Sequence, residues 1–374
     1  MSKKMPNTFC NIIQKSLFVS HQGIGLCCVG EKKYPNITPS EFWKGEIRKK
    51  ALERMHNGLT VDGCAPCYRT EERNIPSSRT FAKSYDGMPV RDLPTMLDID
   101  FSNFCNLKCV MCNPTRSSEW AKDKGRPISK ITYDLIDDLL SISSDVEHIT
   151  VQGGEPSIMP EYEYFFTKLK EKGYSSKIKL QIITNATNVN RKFYSLLEDF
   201  KGVRLSVSVD AYGKANDYIR WPSNFDQITK NIKAISDLAS NVQVDVLSSL
   251  NILSMFDYHK FLSWCYDMEK LFESKGKVIR MVPMKVQEPL EYSPFSAPLS
   301  LKQKFLEDVK GFMIKHNLTH NSNWKPEMLL LLRSINGSPV ENDAISKLKD
   351  NISQLNDERN VRITDYIPDF YNYI

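Results

Sequence analysis

The sequence predicts an α/β fold, a partial (βα)6 TIM-type barrel preceded by a small cysteine-rich module. Two observations carry this. From Pro94 onward, short β-branched runs alternate with segments of helical period, and the cysteines ahead of that point fall in short clusters. The expected strands are Thr95 to Phe101, His148 to Gln152, Ile178 to Thr184, Val203 to Asp210, Val242 to Leu250 and Val278 to Lys285, each an apolar run of strand length. Between them, Thr132 to Ser143, Glu161 to Lys172, Arg191 to Phe200, Phe225 to Leu238 and Met255 to Phe272 carry apolar residues at three- and four-residue spacing, and Leu301 to Ile314 closes a sixth unit.

Composition sets the outer limits. With 374 residues, 41% hydrophobic and 25% charged, the chain suits a large domain plus a smaller one. The expected divisions are 1–90 for the cysteine-rich module, 91–320 for the barrel and 321–374 for a helical extension, with the polar stretch Asn74 to Gly87 as linker. In the extension, Pro326 to Arg333 reads as a buried helix, Glu341 to Asn360 as a polar one, and Tyr366 to Tyr373 as an aromatic tail packed on the barrel. No stretch approaches a membrane span, and Met-Ser-Lys-Lys-Met-Pro-Asn at the start has no apolar run behind it, so a cytoplasmic location is expected. The net charge of +5 is spread along the chain without a basic block, so nucleic acid is not indicated. Nine cysteines in short clusters read as thiols ready for metal in a reducing compartment, ahead of disulfides.

The most informative of these clusters is Cys105-x-x-x-Cys109-x-x-Cys112, in a loop that leaves the first apolar strand. Three soft ligands suit iron and sulfide. A four-iron cluster has four corners, so three thiolates leave one iron open to a small molecule. Structural zinc is the alternative, but such sites add a second distant pair or a histidine, and no histidine lies nearby. Active sites of barrels lie where the strands end, and the polar motifs fall there: the cysteine loop after the first strand, Gly153-Gly154-Glu155-Pro156 after the second, Thr184-Asn185 at the third, Ser208 and Asp210 at the fourth, Asn251 after the fifth.

The cysteine spacing, the strand ahead of it and the Gly-Gly-Glu-Pro turn resemble the radical S-adenosylmethionine (SAM) superfamily. The resemblance implies a [4Fe-4S] cluster on Cys105, Cys109 and Cys112 whose open iron is chelated by the methionyl amine and carboxylate of SAM. It implies that Gly153 and Gly154 admit a close backbone approach and that Glu155, before Pro156, accepts from the methionyl ammonium; a plain β-turn is the other reading. Arg220 matches a position that holds the methionyl carboxylate in related enzymes, and Met111 stands where many relatives have an aromatic near adenine. Ser208 and Asp210 share strand parity and would meet ribose hydroxyls or a substrate, or cap the next helix; Asn185 and Asn251 join the cofactor-binding set. Asp98 and Asp100 face one side of the first strand as interior carboxylates, and no catalytic base is assigned.

A second set lies in the first ninety residues. Cys10-x12-Gly23-x4-Cys28, followed by Cys64-Ala-Pro-Cys67, is similar to the twitch or SPASM-type auxiliary-cluster module, here ahead of the barrel. Four thiolates would saturate a [4Fe-4S] cluster, leaving electron relay or structural support as its work; a four-cysteine zinc knuckle is the alternative. The count selects Cys28, although the adjacent thiol of Cys27 can swap with it, and Cys265 reads as packed core.

The expected function is thus a radical SAM enzyme that makes a 5′-deoxyadenosyl radical and abstracts hydrogen from an unidentified metabolite, sugar or peptide, with flavodoxin or ferredoxin as electron donor. A polar rim of Asp98, Asp100, Asn251 and Lys285 suits a hydroxylated or charged substrate. The competing class is a non-catalytic scaffold that binds zinc or an iron-sulfur cluster.

Overall fold

The computed structural model describes residues 8–72, 76–237, 241–318, 332–335 and 342–374. Contacts gather the chain into two units. The first holds residues up to Cys105 with Pro114–Ile183 and Arg191–Val203, and the second holds Asn106–Asn113, Thr184–Asn190 and Arg204–Ile374.

In the first unit the strand order is β2 (Gly23–Gly25), β1 (Ser16–Ser20), β3 (Met96–Asp100), β4 (His148–Val151) and β5 (Lys179–Thr184). All neighbours are parallel except the β1–β2 hairpin, and Ser20 stands opposite Asp100 in the β1–β3 register. The reading that begins the strands at Thr95 therefore misses β1. Its sequence Ser-Leu-Phe-Val-Ser is buried at every position, as a strand covered on both faces should be. The N-terminal residues thus extend the parallel sheet as well as carrying cysteines.

Two helices cover these strands. Thr132 caps the helix Tyr133–Ser141 by accepting from the Leu135 N–H, and Ile136, Leu139 and Leu140 are its buried stripe. The helix Pro160–Glu171 has proline in its first turn and buries Tyr162, Phe165, Phe166 and Leu169. Each such side chain contributes about 2 kcal/mol by leaving water. Tyr162 also sets the strand ends: its hydroxyl accepts from the Phe101 N–H at 3.0 Å and donates to the Gln152 carbonyl at 2.9 Å, while its ring stacks on Phe101. Phe101 and Gln152 are the last residues before the two motif loops of this unit.

The second unit contains most of β6 (Gly202–Ser208), then β7 (Val242–Leu250) and β8 (Ile279–Lys285), with β7 and β8 parallel over Val244 to Leu250. Helices Phe225–Ser236, Tyr258–Ser274 and Leu299–Lys315 follow the expected segments within a few residues. The expected polar helix is Asn342–Arg359. Of the expected helix Pro326 to Arg333, all but the last two residues lie outside the described set. The fold is α/β with mostly parallel strands. Among the described residues no helix is long and apolar enough to cross a membrane.

Candidate functional site: two sets of cysteines

In the first unit, the loop after β3 meets the loop after β4. The Glu155 N–H donates to the Phe104 carbonyl at 2.8 Å, next to Cys105. Cys105 is buried, its N–H donating to the Ser118 hydroxyl at 3.1 Å, which donates back to the Cys105 carbonyl at 3.0 Å. Glycine is required at both positions of the turn. Gly153 has φ +83°, and a Cβ there would overlap the Asp100 carboxylate; a Cβ on Gly154 would overlap the Phe104 carbonyl. Glu155, fully buried, accepts from the Ser157 N–H at 3.1 Å, and Pro156 begins the short 3₁₀ turn that follows.

Beside this turn lies a group of polar side chains, of which Asp100 is buried and Asp98, Arg116 and Gln152 are half-buried. Arg116 donates to Asp100 Oδ2 at 2.9 Å, while Asp100 Oδ1 is a buried oxygen without a hydrogen-bond partner among the described residues. Burial, against the Arg116 charge, pushes Asp100 up to about 6. Asp98 accepts from Gln152 Nε2 at 2.6 Å, and burial raises it too.

The second unit holds the rest of the cysteine loop by its backbone. The Lys108 N–H donates to the Trp221 carbonyl at 2.5 Å and the Val110 N–H to that of Ile219 at 2.9 Å, while the Cys112 N–H closes a turn onto the Cys109 carbonyl. Burial raises the Cys109 thiol, and the Arg220 charge acts against that rise. Arg359, at the end of Asn342–Arg359, donates to the Lys108 carbonyl at 2.9 Å and to that of Tyr218 at 2.8 Å. Nothing in the local sequence signals this arginine, which sits 251 residues from the carbonyl it meets.

The polar residues predicted near the cofactor are committed to protein partners here. Arg220 Nη1 donates to Asp210 Oδ2 at 2.9 Å, and Asp210 Oδ1 accepts from the Ser249 N–H at 2.8 Å, so both carboxylate oxygens are engaged. Asn251 caps a 3₁₀ turn by accepting from Leu253 and Ser254 N–H groups and donating to the Ser249 carbonyl. Asn185 donates to the Asn106 side chain at 2.9 Å and accepts from Thr187, tying its loop to the cysteine loop. Ser208 and Met111 are half-buried.

The second cysteine set lies wholly in the first unit. Cys10, Cys27, Cys64 and Cys67 line one cavity, with Arg79 on its wall. Cys10 caps the helix Asn11–Lys15, and Cys67 lies on the helix Ala65–Glu72. The sequence count chose Cys28, but the structure directs that thiol to Asp98 and Gln152 and puts Cys27 in the cavity. Gly23 earns its place in the motif: it has φ +122°, and a Cβ there would meet the Tyr34 backbone at 2.6 Å. Burial pushes Cys10 up to about 11 and Cys64 to about 12, so metal binding must displace their protons. None of the nine cysteines is joined to another by a disulfide. Among the described residues no three or more His, Cys, Asp or Glu side chains converge at the spacing of a single metal ion.

The donor chemistry fits iron and sulfide at both places: soft thiols grouped without acidic ligands, and in the first unit a turn that only glycine can form beside Cys105.

Residues 99–258 match the family model described as the radical SAM superfamily. Among solved structures, the chain is similar to Streptococcus suis SuiB bound to precursor peptide SuiA, at 18% identity and TM-score 0.41, over 75% of this chain and 60% of that one. It is also similar to native anSMEcpe with bound AdoMet, at 17% identity and TM-score 0.41, over 60% and 62% of the two chains. A third, TYW1 with a lysine-pyruvate adduct bound, shares 12% identity at TM-score 0.35, over 72% and 89%. The chain spans about three fifths of the length of the first two. No curated protein matches it. The matched segment includes Cys105, Cys109, Cys112 and the Gly153–Pro156 turn.

Proposed function

We propose that the protein is a radical SAM enzyme, with Cys105, Cys109 and Cys112 holding a [4Fe-4S] cluster that has one iron open to SAM. The family match over residues 99–258 carries this reading, because that segment contains all three cysteines at the superfamily's spacing. When bound, the cluster and SAM supply a reductive S–C5′ cleavage whose 5′-deoxyadenosyl radical takes hydrogen from an unreactive carbon.

The chain's own residues prepare the place. Gly153 and Gly154 are proposed to present backbone to the methionyl group, and Glu155, fixed by the Ser157 N–H, is its proposed ammonium acceptor. Arg220 is the proposed carboxylate partner, held in orientation by Asp210. Met111, Asn185 and Ser208 complete the proposed SAM contacts. Asp210 and Asn251 act instead as positioning residues, fixing the backbone around Ser249.

The N-terminal cysteines are proposed to hold a second, saturated cluster of the twitch or SPASM type that relays electrons or supports the fold. The strands and helices are proposed to close as six βα units of a partial barrel. A low-potential donor such as flavodoxin or ferredoxin is the proposed electron source, in the cytoplasm. The substrate is proposed to be a metabolite, sugar or peptide with polar groups suited to Asp98, Asp100 and Lys285.

The test is chemical. Anaerobically reconstituted protein, given dithionite and SAM, is expected to yield 5′-deoxyadenosine by mass spectrometry, and Cys105→Ala is expected to yield none. SAM recovered intact from iron-loaded, folded protein would overturn the proposal.

A further inference from the structure

Two adjacent thiols, Cys27 and Cys28, are given different surroundings by one turn. The Gly30 N–H donates to the Cys27 carbonyl at 3.3 Å, and Lys33 Nζ donates to the carbonyls of Cys27 and Gly30 at 2.9 and 2.8 Å. These bonds fix residues 27 to 30 so that successive side chains project apart. Cys27 lines the cavity with Cys10, Cys64 and Cys67. Cys28 instead lies near Asp98, whose charge adds to the burial that raises the thiol and which accepts from Gln152 Nε2 at 2.6 Å.

The four lining thiols are mutually close. Cys10 feels the charge of Cys27 and Cys67, Cys27 that of Cys67, and Cys64 that of all three others. Every pair in the set is thereby represented. The set is also built into an apolar wall: Cys10 belongs to a core with Phe9, Ile13 and Met55, against which Cys64 packs. Arg79 sits on the cavity wall, steadied by Glu71 and donating to the Phe9 carbonyl, and its cation offsets thiolate charge.

We propose that Cys10, Cys27, Cys64 and Cys67 are the four ligands of the second iron-sulfur site, and that Cys28 is a retained thiol outside it. The assignment rests on the iron-sulfur reading of that site given above. Loading a preformed cluster forms four Fe–S bonds and releases the four thiol protons, with no change of oxidation state.

The experiment uses the full chain with Cys105, Cys109 and Cys112 all changed to Ala, so that bound metal reports the N-terminal set alone. After anaerobic reconstitution with iron and sulfide, about four irons per chain are expected. Cys27→Ser and Cys64→Ser in that background are expected to bind less than half as much, and Cys28→Ser the same amount, with circular dichroism verifying the fold of each. Iron lost in Cys28→Ser and kept in Cys27→Ser overturns the ligand assignment. Zinc in place of iron overturns the iron-sulfur reading, while the same variants still test the ligands through zinc content. Alkylation of the metal-loaded background chain needs no Cys27 or Cys28 variant to fold: Cys28 is expected to be labelled before Cys27, and the reverse order overturns the proposal.

Discussion

The loop from Cys105 to Cys112 and the cavity of Cys10, Cys27, Cys64 and Cys67 present thiols in different ways. The loop has its spacing written into one short segment: the Cys105 N–H donates to the Ser118 hydroxyl, the Lys108 and Val110 N–H groups donate to the Trp221 and Ile219 carbonyls, and Arg359 donates to the Lys108 carbonyl. The cavity collects cysteines from a helix cap, a turn and a second helix, and only the packing of a small apolar core brings them together. A motif fixed by covalent spacing keeps its donor set when neighbours change. A set assembled by packing depends on those neighbours, and a metal bound there would in return stabilise the fold that presents it.

The largest expected difference between the two is catalytic. Cys109→Ala should abolish 5′-deoxyadenosine formation, whereas Cys64→Ala should spare part of it; equal loss in folded proteins would break the division of labour. Next in size is the buried pair behind the loop. Arg220→Ala leaves Asp210, fully buried, without its cation and should cost about 3–5 kcal/mol in urea unfolding. A cost near zero would show that the pair does not hold this region.

Arg359→Ala sharpens the same contrast at smaller scale. It removes two donors from buried carbonyls, worth about 1–3 kcal/mol, and should weaken iron retention at the loop while leaving the N-terminal iron in place. Iron counts of the variant, with and without Cys64→Ser, separate the two sites. Metal loading of the chain lacking the loop cysteines should raise its melting temperature by several degrees, and Cys64→Ser should remove that rise.

The smallest effect is in pH. Asp100 is raised from 3.8 to about 6 by burial, opposed by Arg116 and Lys33 and reinforced by Asp98. The folded chain therefore holds a proton that the unfolded chain has released, so the stabilisation is full below about pH 4 and is lost as pH rises through about 6. Chemical unfolding of the metal-free protein should show that decline, and Asp100→Asn should flatten it. An unchanged slope would place the titration elsewhere.

Local signals carried much of this into view from the sequence. The runs that became β3 to β8 were legible from apolar length, and the three-cysteine loop from spacing alone. β1 was equally apolar, but the cysteines around it drew it into a separate module, and only its pairing with β3 reveals it as a sheet strand. Counting residues selected Cys28, whereas Cys27 lines the cavity, beside a turn held by Lys33. Asp210 and Asn251 were legible as polar residues at strand ends; their partners, the Ser249 N–H and carbonyl, are backbone groups that no residue pattern displays.

Electron paramagnetic resonance of the dithionite-reduced protein, recorded with and without SAM, tests the central claim most directly. Binding of SAM to an open iron of the loop cluster predicts a changed signal in the full chain and in Cys64→Ser, and no SAM-dependent change in Cys109→Ala. Superimposable spectra with and without SAM in the iron-loaded full chain would contradict the account.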